Sequence, residues 1–138
     1  MAQRDRYHEL VKAALVKDGW TITHDPYTLP SGRRNLYVDL GAERLIAAER
    51  QGETIAVEIK SFLRQSEVAD LEDALGQFVL YRAALRRHDP ARRLLLAVPL
   101  DAFDSVWSDD VGRDVVEDEK VSLIVYDPAE GIIKRWVL

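Results

Sequence analysis

Three ionisable residues interrupt two apolar segments near the middle of the sequence. Asp39 lies in LYVDL, and Glu58 and Lys60 lie in TIAVEIKSF. Both segments have the composition of β-strands, whose successive side chains point to opposite faces. Glu58 and Lys60 must therefore share one face of their strand. An ionised carboxylate in such a strand is costly to bury unless it is paired, hydrogen-bonded or bound to a metal.

These residue types suit metal-assisted hydrolysis of a phosphodiester. Two carboxylates on neighbouring strands repel each other, and a hard cation such as Mg²⁺ or Mn²⁺ relieves that repulsion. Lys60 supplies a positive charge and can orient an attacking water or take a proton from it. The alternative is a plain salt bridge among Asp39, Glu58 and Lys60, since Glu-x-Lys is a common tripeptide. Spacing alone supports both interpretations equally.

The first half of the chain must supply the strands that position this cluster. Apolar residues recur at helical spacing from about Asp5 to Lys17, which predicts a helix with one buried stripe. TITH then alternates like a strand. LYVDL, AERLIAAE and TIAVEIKSF follow as three strand-like segments, with a hairpin turn at Gln51-Gly52 between the last two.

The second half predicts the helices that cover the sheet. A long helix runs from about Ser66 to Arg87, with an apolar stripe facing the core at Val68, Leu71, Leu75, Phe78 and Leu85. RRLLLAVP is typical of a strand buried on both faces. Short helices around Asp101 to Trp107 and Asp110 to Glu117, then the strands VSLIVY and IIKRWV, complete the chain. This order predicts an α/β fold with a mixed sheet flanked by helices.

Composition limits the classes of function. The chain has 138 residues, 47% of them hydrophobic, which predicts one domain over residues 1–138. No cysteine is present, so disulfides, thiolate metal sites and cysteine nucleophiles are excluded. A net charge of −5 argues against a generic polyanion binder, so any nucleic-acid contact must be local. The charged N-terminus and the lack of a membrane-length apolar segment predict a cytoplasmic protein.

The remaining candidates favour structural roles. The histidines, at His8, His24 and His88, lack metal-ligand spacing and are predicted on the surface or in turns. The tryptophans adjoin apolar residues and are predicted in the core. Pairs of basic residues such as Arg92 and Arg93 are typical of solvated surface.

The sequence resembles the XisH family, and beyond it the PD-(D/E)XK nuclease superfamily. The stretches that carry the resemblance are KDGWTITHDPYTL, YVDLGAERLIAAER, IAVEIKSF and SEVADLEDALGQFVLYR. The resemblance implies a restriction-endonuclease-like fold in which Asp39 and Glu58 hold the metal and Lys60 completes the catalytic set. The residue before Asp39 is valine rather than the proline of the superfamily motif.

Further residues are assigned by the same resemblance. Gln77 and Tyr81 match the glutamine and tyrosine that some nuclease subfamilies place on the helix after the lysine strand. Their spacing of four puts them on one face of that helix. Glu9 matches an accessory acid on the first helix, although a solvated helix face explains that residue equally simply.

Two functions follow from the resemblance, which implies a factor that controls excision of the fdxN element in cyanobacteria. In the first, the chain is a Mg²⁺- or Mn²⁺-dependent nuclease acting on DNA. In the second, it is a non-catalytic regulator that binds DNA or protein and works with an XisI-like partner, with a homo-oligomer also possible. The acidic net charge suits a protein partner at least as well as DNA.

Overall fold

The computed structural model describes residues 7–31, 34–35, 45–63 and 66–138. In these ranges the helices are α1 (His8–Lys17), α2 (Glu67–His88), α3 (Leu100–Asp104) and α4 (Asp110–Glu119). The strands are β1 (Thr21–His24), β2 (Pro30–Ser31), β3 (Arg34–Asn35), β4 (Leu45–Arg50), β5 (Glu53–Ile59), β6 (Arg93–Pro99), β7 (Leu123–Asp127) and β8 (Ile132–Val137). No helix in these ranges is long and apolar enough to cross a membrane.

A six-stranded mixed sheet organises the chain, in the order β1-β4-β5-β6-β7-β8. The central strands β5, β6 and β7 are parallel, and the other neighbouring pairs are antiparallel. The strands β2 and β3 form a separate two-stranded pair. The predicted α/β class with a mixed sheet flanked by helices is confirmed, and the layout is consistent with a restriction-endonuclease-like arrangement.

Each face of the sheet carries its own apolar core. The helix α2 packs on the face that presents Ala56, Leu96 and Val125. The helix α1 packs on the other face, against Val57 and Ile59. Because side chains alternate along β5, the face under α2 is the one to which Glu58 and Lys60 belong, as the strand pattern predicts.

Local sequence explains the boundaries of the main elements. Gln51 and Gly52 both have positive φ, at 51° and 84°, which matches the tight hairpin turns that twisted strands favour. At the start of α2 the Ser66 hydroxyl accepts a hydrogen bond from the Ala69 amide at 3.1 Å. This cap satisfies one of the amides that the first turn of a helix leaves unpaired.

Two details of the sequence prediction are wrong. The strand β5 ends at Ile59 rather than continuing through Phe62, which has a φ of 53° and packs edge-on against Trp107. Val68 does not face the core, since it is 54% exposed. Packing rotates α2 so that Asp70, next to the correctly predicted Leu71, faces the sheet in its place. The predicted strand LYVDL lies outside the described residues.

Candidate functional site

Glu58 and Lys60 lie at the carboxyl end of β5, beneath α2. Glu58 is 0% exposed and Lys60 is 8% exposed. The Lys60 Nζ lies 3.9 Å from Glu58 Oε1, which is close enough for an ion pair but longer than a hydrogen bond. A buried carboxylate and a buried ammonium therefore share the inner face of the central strand.

The backbone of Lys60 is fixed from two sides. Its amide donates to the Ala97 carbonyl at 2.9 Å, which continues the pairing of β5 with β6. Its carbonyl accepts a hydrogen bond from the Tyr126 hydroxyl at 2.6 Å. Two residues later the chain turns sharply at Phe62, whose left-handed φ is unfavourable for a bulky side chain. Lys60 is thus held in place where the chain leaves the sheet, and strain beside a buried charge is typical of a functional site.

The sheet-facing side of α2 adds polar groups to the same layer. Tyr81 is 1% exposed, and its hydroxyl is buried. The Gln77 Oε1 is also buried and has no hydrogen-bond partner among the described residues. Asp70, in the first turn of α2, is 9% exposed. Helical spacing places Asp70, Gln77 and Tyr81 along one stripe, so an acid, an amide and a phenol face the strand that carries Glu58.

The metal prediction depends on residues that the structure covers only in part. Glu58 suits a hard cation, because it places carboxylate oxygens at the end of a central strand. Asp39, the second predicted ligand, lies outside the described residues. Within the described ranges, no group of three or more histidine, aspartate or glutamate side chains is placed to hold a metal ion. The described chain thus supplies one member of the predicted ligand pair, and the site stays a prediction.

Comparison with known proteins identifies the family. The family model described as XisH protein matches residues 1–134. The chain belongs to the XisH family.

Two crystal structures of cyanobacterial proteins extend this result to the fold. An XisH family protein from Nostoc punctiforme PCC 73102 is 45% identical, with a TM-score of 0.89, over 97% of this chain and 100% of that one. A fdxN element excision controlling factor protein from Anabaena variabilis is 46% identical, with a TM-score of 0.88, over 96% of this chain and 98% of that one. No curated protein matches the chain.

A second buried charged cluster in this XisH chain was not predicted from the sequence. His8 is 2% exposed, and its Nε2 donates to Asp25 Oδ1 at 2.9 Å. Lys12 Nζ donates to Asp25 Oδ2 at 2.6 Å. The prediction that His8 lies on the surface or in a turn is wrong. One signal was available, because His8 precedes the buried Val11 by three positions and so falls on the buried stripe of α1.

Mutual hydrogen bonding shifts the ionisation of this cluster. Burial acts to raise the pKa of Asp25, but the hydrogen bonds and charges of Lys12 and His8 outweigh it and hold that pKa below its ordinary value. The hydrogen bond to Asp25 raises the pKa of Lys12, against the opposing effect of burial. Both shifts favour the charged forms, so the cluster links α1 electrostatically to the segment after β1.

Two further acids, Glu9 and Asp70, lie on opposite faces of the sheet and differ in burial. Glu9 is on α1, which packs on the face of the sheet opposite to Glu58, and its side chain is 67% exposed and 3.5 Å from Lys12. Its accessory role stays a prediction. Asp70 is an acid in the first turn of α2, where the helix dipole alone would explain it, yet it is buried in this XisH fold. The spacing Asp70, Ala74, Gln77, Tyr81 was the signal for its position.

Proposed function

We propose that this XisH family member acts in the excision of a DNA element through a metal-dependent site that hydrolyses phosphodiester bonds. The observation that carries the proposal is the buried pair of Glu58 and Lys60, with charged atoms 3.9 Å apart at the end of a central strand. The process is suggested by the Anabaena variabilis relative, which is described as a fdxN element excision controlling factor.

Burying the charges of Glu58 and Lys60 is energetically costly. Taking two charges out of water costs several kcal/mol per ion, and their attraction offsets this only with very good geometry and additional hydrogen bonds. The 3.9 Å separation falls short of a charge-assisted hydrogen bond, which is about 2.8 Å long. An apolar pair at these two positions would avoid the cost of desolvation, and a role in chemistry gives a reason for two buried charges here.

Each residue then has a distinct task. Glu58, together with Asp39, would hold Mg²⁺ or Mn²⁺ through carboxylate oxygens. When bound, that cation would supply Lewis-acid stabilisation of the charge that develops on the phosphodiester. Lys60 would orient the attacking water and, once its ammonium has lost a proton to solvent, accept a proton from that water at Nζ. Gln77 and Tyr81 would position the substrate strand along α2, and the buried Gln77 Oε1 suits this role as an acceptor with no described partner.

Cleavage assays test this proposal. Supercoiled plasmid, single- and double-stranded DNA and RNA are incubated with the protein in Mg²⁺ or Mn²⁺, alone and with an XisI-like companion. We expect cleavage that EDTA stops and that falls about 100- to 10,000-fold in Lys60→Met, the range of general acid–base catalysis. Lys134→Met, on the exposed surface of β8, is the matched control. Failure of the wild type to cut any of these substrates under any of these conditions would refute the nuclease proposal.

A separate observation favours a second function, regulation through a protein partner. The outer side of α2 exposes Val68, Val79 and Leu80. Gly76 lies among them in the middle of the helix, and nothing lies within 4 Å of the position that a Cβ would occupy there. Glycine inside a helix costs about 0.5–1 kcal/mol relative to alanine, and packing within the described chain gives no reason for it. Close approach of an XisI-like companion to this apolar face would explain why glycine occupies position 76.

Gly76→Ala tests the partner proposal. The substitution should stabilise the isolated chain by about 0.5–1 kcal/mol, because it removes the flexibility of glycine from a helix. It should also weaken association with the XisI-like companion, since the added methyl group lies on the contact face. Denaturant unfolding and calorimetric titration measure the two effects, with Glu117→Ala on the exposed face of α4 as control. Unchanged affinity in Gly76→Ala would exclude this face of α2 as the interface.

A further inference from the structure

A pocket lined by cations lies at the end of the sheet opposite to Glu58 and Lys60. It has a volume of about 220 Å³ and is formed by the last turns of α2, the start of β6 and the connection from α4 to β7. No acidic side chain of the described chain lines it, and its cations are Arg82, Arg86, Arg92, Arg93 and Lys120. This concentration of positive charge contrasts with a net charge of −5 for the whole chain.

Neighbouring acids balance only part of this charge. Arg82 is paired with Glu119 at 3.0 Å, and Arg92 is paired with Asp89 at 2.9 Å. The other three cations, Arg86, Arg93 and Lys120, have no ion pair within the described residues. The pocket therefore keeps an excess of three positive charges. In an isolated chain this arrangement is repulsive, so it favours an anion that would occupy the pocket.

Stabilisation of a helix end does not account for the whole cluster. Basic residues in the last turn of α2, such as Arg86, interact favourably with the negative end of the helix dipole. Arg93 and Lys120 belong to other elements and cannot serve α2 in the same way. Lys120 also adopts a left-handed conformation, with φ 53° and ψ 51°, at the C-terminal cap of α4. Glycine is the usual residue at such a position, so its replacement by lysine places a charge where the backbone disfavours a side chain.

The size of the pocket indicates which ligands it can bind. Sites for whole small molecules usually measure about 300–1,000 Å³, and about 220 Å³ is below that range. A phosphate group fits, and arginine guanidinium groups bind phosphate oxygens in a bidentate manner. The hydroxyl of Ser122, which also lines the pocket, can donate a further hydrogen bond to such an oxygen.

We infer that this pocket binds a backbone phosphate of the nucleic acid that the proposed site acts on. The inference deepens the proposed function and rests on its assignment of nucleic acid as the substrate class. Both sites lie on the α2 side of the sheet, and the rise of the helix places Arg86 about 24 Å beyond Asp70. One duplex can span this distance, which corresponds to about seven base pairs at 3.4 Å each. The pocket would then fix the register of the strand relative to Glu58.

The test is DNA binding as a function of salt, measured by fluorescence anisotropy in EDTA so that nothing is cut. Two variants remove charge from the pocket: Arg86→Ala/Arg93→Ala, and Lys120→Gly, which also relieves the left-handed backbone and so should not lower the melting temperature. The double variant should bind a 20-base-pair duplex at least about tenfold more weakly. Its slope of log affinity against log salt should be shallower by about 0.9, since one phosphate contact is lost. Lys120→Gly should shift both quantities in the same direction by about half as much.

The control is Arg113→Ala/Lys134→Ala, which removes the same charge from other surfaces and should leave the slope unchanged. Wild-type affinity and slope in the double variant would overturn the inference. So would binding of inorganic phosphate or a mononucleotide to the pocket without binding of the duplex, because the ligand would then be a free anion. If the wild type cuts no DNA but the double variant has the shallower slope, the nuclease proposal fails and the assignment of the pocket stands. If the wild type cuts DNA and the double variant binds the duplex like the wild type, the nuclease proposal stands and the assignment of the pocket fails.

Discussion

The cluster of His8, Lys12 and Asp25 and the pair of Glu58 and Lys60 bury charge at the same end of the sheet in different ways. In the first, both carboxylate oxygens of Asp25 accept hydrogen bonds, at 2.9 and 2.6 Å, from residues of another element. In the second, the two groups are neighbours on one strand, 3.9 Å apart. The first cluster joins α1 to the segment after β1, whereas Glu58 and Lys60 come from the same segment of chain. Direct hydrogen bonds between two elements make the first cluster a structural lock, whereas the pair on β5 combines residue types that suit chemistry.

The largest effect on stability should come from breaking the structural lock. Asp25→Ala removes the acceptor of two hydrogen bonds and leaves His8 buried without its partner. We expect the free energy of unfolding to fall by about 2–4 kcal/mol in urea denaturation. Asp18→Ala, which removes an exposed carboxylate 3.8 Å from Arg50, should cost less than about 1 kcal/mol. Equal losses in the two variants would contradict the assignment of Asp25 to a lock.

Replacing Glu58 and Lys60 together should not lower the free energy of unfolding, in contrast to Asp25→Ala. In Glu58→Leu/Lys60→Met apolar side chains of similar volume replace both charges together, so neither charge is left buried without the other. The free energy of unfolding should be unchanged or higher by up to about 3 kcal/mol, because a buried ion pair rarely repays its desolvation. The same urea series measures it. A loss of more than about 2 kcal/mol would show that this pair, too, is structural.

The pH dependence of stability gives a smaller and more specific contrast. The folded pKa of Asp25 is lowered, so its stabilisation is present above its unfolded pKa of about 3.9 and is lost as the pH falls through the folded value. The folded pKa of Lys12 is raised, so its contribution is present below about pH 10.4 and is lost as the pH rises through the folded value. Thermal unfolding from pH 3 to pH 11 should show both limbs, and Asp25→Asn should flatten them. Unaltered limbs in Asp25→Asn would place the titrating groups elsewhere.

Sequence periodicity predicted the elements well and their contacts less well. The length of α2, the strand IIKRWV and the shared face of Glu58 and Lys60 all follow from local patterns. The end of β5 at Ile59 does not, because it depends on the turn at Phe62 and its contact with Trp107. The rotation of α2 that exposes Val68 is likewise set by packing. The cation pocket draws on three elements, so no single sequence window contains it.

The candidate site divides in the same way. Alternation along one strand was sufficient to place Glu58 and Lys60 on one face. Helical spacing was sufficient to place Gln77 and Tyr81, which the family resemblance had singled out, on one face of α2. Asp70 was missed as a buried group, because its place in the first turn already had a simple explanation in the helix dipole. His8 was missed because its partner, Asp25, is 17 residues away along the chain.

The most direct test of the central claim is a crystal structure of the protein soaked in Mn²⁺, with the metal located by anomalous scattering. We expect a peak about 2.1 Å from a carboxylate oxygen of Glu58, with Asp39 as a second ligand and no peak in Glu58→Gln. A peak that persists in Glu58→Gln, or a well-occupied Mn²⁺ site that excludes both carboxylates, would contradict this expectation.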